Sequence, residues 1–317
     1  MQNSVTNVVT KSNMDKYLIS IVGPTGIGKT NISLKLASYF NSEIISADSR
    51  QFYKEIPIGT AAPTSLELKL AKHHFVHHKS INDHYSVGEF EKEANAQINQ
   101  CHLLNPIVIM VGGSGLYVDA VVKGLDEFPE INPEIRSQLN NELTTYGIEK
   151  LQEELKKLDP LTYENISLKN PHRVIRALEI CKGTNRPYSS FLKKKKTKRN
   201  FNTISIGLKA ERSLIYNRIN CRVDQMIKNG LLEEAKSVFE HRTLNALNTV
   251  GYKELFNYFK GEYTLEFAIS EIKKNSRRFA KRQLTWFQKD KNTQWFEYNT
   301  DPKSIINYLN SQLNKTS

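Results

Sequence analysis

The sequence predicts an α/β fold: a parallel sheet flanked by helices, carrying a phosphate-binding loop (P-loop) and interrupted by an all-helical insertion domain. Three observations lead there. The apolar run Tyr17-Leu18-Ile19-Ser20-Ile21-Val22 is followed at once by Gly23-Pro24-Thr25-Gly26-Ile27-Gly28-Lys29-Thr30, and then by apolar residues at helical spacing. Further β-rich runs alternate with helical patterns, the arrangement that builds a parallel sheet. Between about residues 126 and 200 the strand-like runs stop, and one returns at Thr203-Ile204-Ser205-Ile206-Gly207-Leu208. The expected division is therefore 1–125 and 201–317 for the sheet-bearing core, with 126–200 as the insertion.

Taken in order, the first run reads as a buried strand. The loop after it fits G-x-x-x-x-G-K-[ST]. Its glycines let backbone N–H groups curl round an anion. The helix over 31–40, with Ile32, Leu34, Leu36, Ala37 and Phe40 inward, points its positive end at the same place. Lys29 adds a cation and Thr30 a hydroxyl for Mg²⁺. The loop specifies a diphosphate or triphosphate, not ATP. Glu43-Ile44-Ile45-Ser46-Ala47 reads as a second strand ending at Asp48-Ser49-Arg50-Gln51, and residues 58–65 as loop. His73, His74, His77 and His78 have helix-type metal spacing. No acidic or cysteine ligand stands nearby in sequence and Phe75-Val76 suggests a strand, so no metal site is expected there. Ser86 and Glu89 form a capping box that opens a helix burying Phe90, Ala94, Ile98 and Cys101. A third strand over 107–111 runs into Gly112-Gly113-Ser114-Gly115. Within the insertion, amphipathic patterns occupy 135–143, 148–158 and 173–182. The basic run Lys193-Lys194-Lys195-Lys196-Thr197-Lys198-Arg199 marks the return to the core. Helices then follow up to Gln294-Trp295-Phe296-Glu297-Tyr298.

With 317 residues, 39% apolar and 25% charged, the chain can bury a proper core. No run is long enough to span a bilayer, and the polar first sixteen residues lack the apolar core of a secretion signal. The three cysteines, Cys101, Cys181 and Cys221, read as buried free thiols in a reducing compartment. The net charge of +12 is clustered, which points to a polyanion.

The chemistry begins with an absence. ATP-hydrolysing loop proteins place an Asp at the end of an apolar strand to hold Mg²⁺, but the third strand here ends in Val111-Gly112-Gly113. Asp48 is the remaining carboxylate, in the crevice beyond the strand ends with Lys29 and Ser114; the alternative is a turn or cap. Over residues 272–289, Ile272, Phe279 and Trp286 share one helical face, with Gln283 and Phe287 close by. Lys274, Arg277, Arg278, Lys281, Arg282 and Lys289 are expected on the opposite one, with only Glu271 and Asp290 as acidic partners. Such a stripe favours nucleic-acid contact over a merely solvated face. Arg173 and Arg176 share a flank of an insertion helix. Arg222 falls at the edge of a core stripe made by Ile215, Ile219 and Met226, so it needs an anion: a phosphate in the crevice or an ordinary carboxylate.

The ordered set of motifs resembles the tRNA dimethylallyltransferase (tRNA isopentenyltransferase) family. The P-loop, Ser46-Ala47-Asp48-Ser49-Arg50-Gln51 with Tyr53, Ile58-Gly59-Thr60-Ala61 and Val111-Gly112-Gly113-Ser114-Gly115-Leu116-Tyr117 carry the likeness. So do Arg173-Val174-Ile175-Arg176-Ala177-Leu178-Glu179, Val250-Gly251-Tyr252-Lys253-Glu254 and Ala280-Lys281-Arg282-Gln283-Leu284-Thr285-Trp286-Phe287. The resemblance implies transfer of a dimethylallyl group from dimethylallyl diphosphate, with Mg²⁺, to N6 of the adenosine 3′ of the anticodon in tRNAs reading codons that begin with U. It implies Asp48 as general base, with Lys29 and Arg222 stabilising the diphosphate. It implies tRNA contacts at Asp48, Ser49, Arg50 and Gln51; at Ser114 and Arg136; and at His172, Arg173, Val174, Ile175 and Arg176. Asn248, Thr249, Val250, Gly251, Tyr252 and Lys253 are implied too, as are Lys281, Arg282, Gln283, Leu284, Thr285, Trp286, Phe287 and Gln288. Ser114 stands where the family usually has Thr and keeps the hydroxyl; Ala62 replaces the usual Lys before Pro63. The insertion is expected to grip the anticodon arm of tRNA, and the protein to be a cytoplasmic monomer without membrane contact. The competing reading is a small-molecule or nucleoside kinase, which shares the loop, the sheet and the Asp but leaves the basic helix unexplained. An RNA-binding ATPase would lack its strand-end carboxylate.

Overall fold

β1 (Tyr17–Val22) is buried along its whole length, which is why it reads as an unbroken apolar run. Its side chains serve two cores in turn: Leu18 and Val22 one, Ile19 and Ile21 the other. The structure, a computed structural model, describes residues 15–192 and 198–315. The basic run Lys193-Lys194-Lys195-Lys196-Thr197 therefore lies outside the described residues, as does most of the polar N-terminal stretch.

α1 (Lys29–Phe40) starts from Gly28, and β2 (Ile44–Ser46) leads to the turn at Asp48. α2 (Ser65–Leu70) is opened by a Thr64–Glu67 capping box and leads to β3 (His73–His74). The strand expected at Phe75-Val76 stops short, because Phe75 (φ 64°) and His77 (φ 51°) adopt left-handed backbone that no strand accommodates. α3 (Val87–Leu104) has the capping box read from Ser86 and Glu89, and buries the four residues expected of it. β4 (Ile107–Val111) and α4 (Gly115–Lys123) follow.

The insertion contains α5 (Pro133–Leu158), α6 (Pro160–Asn165) and α7 (Pro171–Thr184). α5 is broken at Gly147 (φ 79°), where the two separately predicted amphipathic patterns meet. α6 is too short to show a period. Its cap, Asp159, accepts hydrogen bonds from Thr162 and Ser189, which lowers the carboxyl pKa against the opposing effect of burial. Leu139, Leu151, Leu155, Val174, Ile175, Ala177 and Leu178 give this unit its own core.

β5 (Asn202–Lys209), α8 (Arg212–Lys228), α9 (Leu231–Ser237), α10 (Tyr252–Phe259), α11 (Leu265–Phe287), β6 (Gln294–Glu297) and α12 (Pro302–Leu313) complete the chain. The six strands pair in the order β3-β2-β4-β1-β5-β6, all parallel. One core packs α3 and α10 against the sheet; the other packs α1 and α12. By its internal packing the chain divides into two compact units, residues 1–123 with 198–317 and residues 124–197. Among the described residues no helix is long and apolar enough to cross a membrane. Cys101 and Cys181 are buried free thiols as expected, but Cys221 is exposed: it lies on the solvent side of α8, away from Ile215, Ile219 and Val223.

Candidate active site

Beyond the carboxyl ends of the strands, where an open parallel sheet binds its ligands, lies a cavity of about 1190 Å³. Its lining belongs entirely to the larger unit. The P-loop forms one wall. Gly26 (φ 81°) and Gly28 (φ 106°) take the left-handed backbone that turns successive amides toward an anion. Lys29 Nζ donates to the carbonyls of Gly23 and Pro24, each at 2.9 Å. Burial lowers its pKa to about 8, with Asp48 opposing the shift and Arg222 adding to it. Arg222, from α8, donates to Thr25 Oγ1 at 3.4 Å. Burial, then the neighbouring Arg218, lowers its pKa. Among the described residues no carboxylate lies within ion-pair distance of Arg222, which favours an anion in the cavity over an ordinary acidic partner. Thr30 also lines the cavity.

Asp48 follows β2. Its Oδ1 accepts the Arg50 N–H at 3.1 Å. Burial raises its carboxyl pKa, and the Arg50 amide and the charge on Lys29 oppose the shift. β4 ends beside it in Gly112 and Gly113, so no second carboxylate stands at that strand end. Ser114 Oγ accepts the Ser49 N–H at 3.0 Å and donates to Ser49 Oγ at 3.1 Å, tying the two strand-end turns together.

Several residues expected at an RNA surface do other work. Arg50 donates to the carbonyls of Asn245 (2.7 Å) and Ala246 (3.0 Å). Gln51 donates to the Ala61 carbonyl at 3.1 Å. Gln283 is buried; its Oε1 accepts the Thr25 N–H and its Nε2 donates to the Gly113 carbonyl, both at 2.8 Å. It thus clamps the P-loop to the turn after β4. Tyr252 is fully buried and donates to Glu234. Glu234 also accepts the N–H groups of Ile58 and Gly59 at 2.8 Å. A Cβ on Gly59 would lie 2.4 Å from the Tyr252 oxygen, so only glycine fits there. Val174, Ile175 and Phe287 are buried as well. The side chains of these five residues (Val174, Ile175, Tyr252, Gln283 and Phe287) are packing and bracing groups, because the same helical stripes that carry the motifs also face the cores. The sequence offered no signal for Glu234, an acid in an otherwise unremarked helix.

The exposed candidates are Arg136, His172 and Arg173 on the insertion, and Asn248, Lys253, Lys281, Arg282, Thr285 and Gln288 on the core; Thr249, Val250, Leu284 and Trp286 are half-buried. Arg136 and Arg176 each donate to the buried Glu179 at 3.0 Å, so part of their charge is already met. On α11, Arg282 lines the cavity beside Ile272, Phe279 and Trp286 rather than facing away. It sits three residues after Phe279 and four before Trp286, which places it on their side of the helix. α11 also has one more acidic partner than its sequence suggested, since Lys273 pairs with Asp224 at 2.6 Å. Asp290 pairs with Lys123 instead.

At the β3 edge of the sheet the expectation for the histidine cluster also changes. Folding brings Glu43 and Cys101 to His74, supplying the acidic and cysteine neighbours that the local sequence lacked.

Comparison with known proteins gives the family. The family model described as IPP transferase matches residues 51–290. The chain is 57% identical over 300 residues to the tRNA dimethylallyltransferase of Flavobacterium johnsoniae, covering 93% of this chain and 97% of that one. The crystal structure of the full-length tRNA isopentenylpyrophosphate transferase from Bacillus halodurans superposes with a TM-score of 0.71 at 38% identity, covering 95% and 97% of the two chains. A eukaryotic dimethylallyltransferase captured acting on tRNA superposes with a TM-score of 0.74 at 26% identity, covering 90% and 74%. The chain belongs to the IPP transferase family, whose members include the tRNA dimethylallyltransferases.

Proposed function

We propose that the protein transfers a dimethylallyl group from dimethylallyl diphosphate to N6 of the adenosine 3′ of the anticodon, in tRNAs reading codons that begin with U. The observation that carries this reading is a single cavity holding an anion cradle at Lys29 and a carboxylate of raised pKa at Asp48, beside a strand that ends in glycine. A kinase reading explains the cradle but not Arg282 of α11 on the cavity wall or the exposed Arg278 and Lys281 of the same helix.

Adenine N6 is a poor nucleophile because its lone pair is delocalised into the ring. As the C–N bond forms, the Asp48 carboxylate takes the N6 proton; its raised pKa makes it a better acceptor. The C–O bond to the diphosphate breaks and its electron pair leaves with the diphosphate. The loop amides, Lys29 and Arg222 meet that growing charge. Thr30, a hard oxygen donor on the cavity wall, would hold Mg²⁺, which would supply further charge neutralisation. The allylic carbon acquires cationic character. Ile219, Val223, Met226, Ile272, Phe279 and Trp286 line the cavity with apolar surface that keeps water from it. The adenosine must leave the stacked loop to enter, and the exposed cations of α11 and the insertion would hold the RNA as it does.

The test is transfer of labelled dimethylallyl from its diphosphate to unmodified tRNA, run beside ATP turnover. Transfer with Mg²⁺ and no ATP requirement is expected. Asp48→Asn should slow single-turnover transfer by about a hundred- to ten-thousand-fold while tRNA affinity holds. Steady ATP hydrolysis that depends on Lys29 would overturn the assignment, and a variant rate within about threefold of wild type would remove Asp48 from the mechanism.

A further inference from the structure

Folding gathers three metal-binding side chains that are far apart in the chain. Glu43 stands immediately before β2, His74 ends β3, and Cys101 lies on α3. One donor atom from each lies within 4.8 Å of the others. His74 Nε2 is 2.5 Å from Glu43 Oε2, and the Cys101 thiol donates to the same oxygen at 3.3 Å. Glu43 and Cys101 also line a cavity of about 490 Å³ that shares no lining residue with the active-site cavity.

The geometry points to a thiophilic divalent-cation site, Zn²⁺ by preference, held by Glu43, His74 and Cys101, with water from the adjoining cavity as fourth ligand. Sulfur and imidazole donors select Zn²⁺ over Mg²⁺, so this cation is a different one from that suited to Thr30. Zinc bond lengths place tetrahedral ligands about 3.4–3.6 Å apart, so the His74–Glu43 contact need open by only about 1 Å. Lys72, which now contacts Glu43 Oε1 at 3.2 Å, is exposed enough to turn into solvent.

The position suggests what the ion does. β3 is only two residues long and runs straight into the left-handed Phe75 and His77. The His77 N–H in turn holds the Gln51 carbonyl at 2.9 Å, in the turn that presents Asp48. A cation clipping β3 to β2 and α3 steadies the segment behind the catalytic turn without touching substrate.

Co²⁺ added to the full chain is the probe, because a bound thiolate produces a cobalt charge-transfer absorption. One Co²⁺ per chain, displaced by Zn²⁺, and a Tm raised by Zn²⁺ are expected. Cys101→Ser should abolish the band. His74→Gln, which can still hydrogen-bond Glu43, and Glu43→Gln should each weaken Co²⁺ binding by about a hundredfold or more. Cys221→Ser, which removes the exposed thiol, should leave the band intact. A wild-type protein that shows no band at saturating Co²⁺, or a band that survives Cys101→Ser or vanishes in Cys221→Ser, would overturn the site. If Cys101→Ser does not fold, the His74→Gln affinity decides: unchanged Co²⁺ binding there refutes the proposal equally.

Discussion

Lys29 lies between two carbonyls and the anion cradle of the P-loop, and burial has drawn its pKa from 10.5 down to about 8. The unfolded chain thus holds this proton more tightly than the folded one. The burden on stability is present below pH 8 and is relieved as pH rises toward 10.5. A bound diphosphate reverses the preference, since an anion beside the ammonium favours its charged form. At about pH 9, binding of inorganic diphosphate should therefore take up close to one proton, and at about pH 7 this group should contribute almost none. Calorimetry in buffers of different ionisation enthalpy reads the difference, and Lys29→Met should remove it. Equal proton uptake at both pH values would show that Lys29 is already charged in the free protein. Lys29 was legible in the sequence through the glycine-rich loop that follows β1, and Asp48 through the turn that follows β2; such strand ends converge on one place in an open parallel sheet. Arg222 was legible only as a side chain needing an anion; choosing the anion required knowing that, among the described residues, no carboxylate lies within ion-pair distance of it.

At the scale of the element, α11 shows what periodicity can and cannot deliver. The repeat of Ile272, Phe279 and Trp286 identified the inward stripe. It did not show that the cavity, rather than solid core, lies against part of that stripe, so Arg282 was placed outside. Arg278 and Lys281 are exposed, and Arg282 lines the cavity. Arg278→Ala with Lys281→Ala should weaken tRNA binding and flatten its salt dependence by roughly one log–log unit for each phosphate left without its cation, with diphosphate affinity unchanged. An unaltered salt slope would mark the outer face as merely solvated. The Gln283 clamp escaped sequence reading for a related reason: its partners, Thr25 and Gly113, are remote along the chain. α6 and the turn around Phe75 were missed because single turns carry no period. The gathering of Glu43, His74 and Cys101 depends on strand pairing that no local window contains.

At the scale of the whole molecule, the insertion has its own core and the active-site cavity draws no residue from it. Replacing residues 124–197 by a short linker should leave a folded larger unit that still binds diphosphate but no longer modifies tRNA. Arg199, bonded to Glu91 and to the Ala120 carbonyl at 2.5 Å each, anchors the returning chain on the remaining side. A soluble truncated protein with full activity on intact tRNA would show that the insertion does not hold the substrate. The strand order carries a further consequence, one of timing. β1 lies between β4 and β5, and Tyr17 is paired with Asn202. At about 5–20 residues per second, a ribosome delivers β5 roughly 10–35 s after β1. Throughout that interval one edge of a central strand lacks its neighbour, while the intervening helical unit can already collapse on its own core. A nascent chain arrested before residue 202 therefore exposes the middle of its sheet, not the rim, to whatever else is folding nearby.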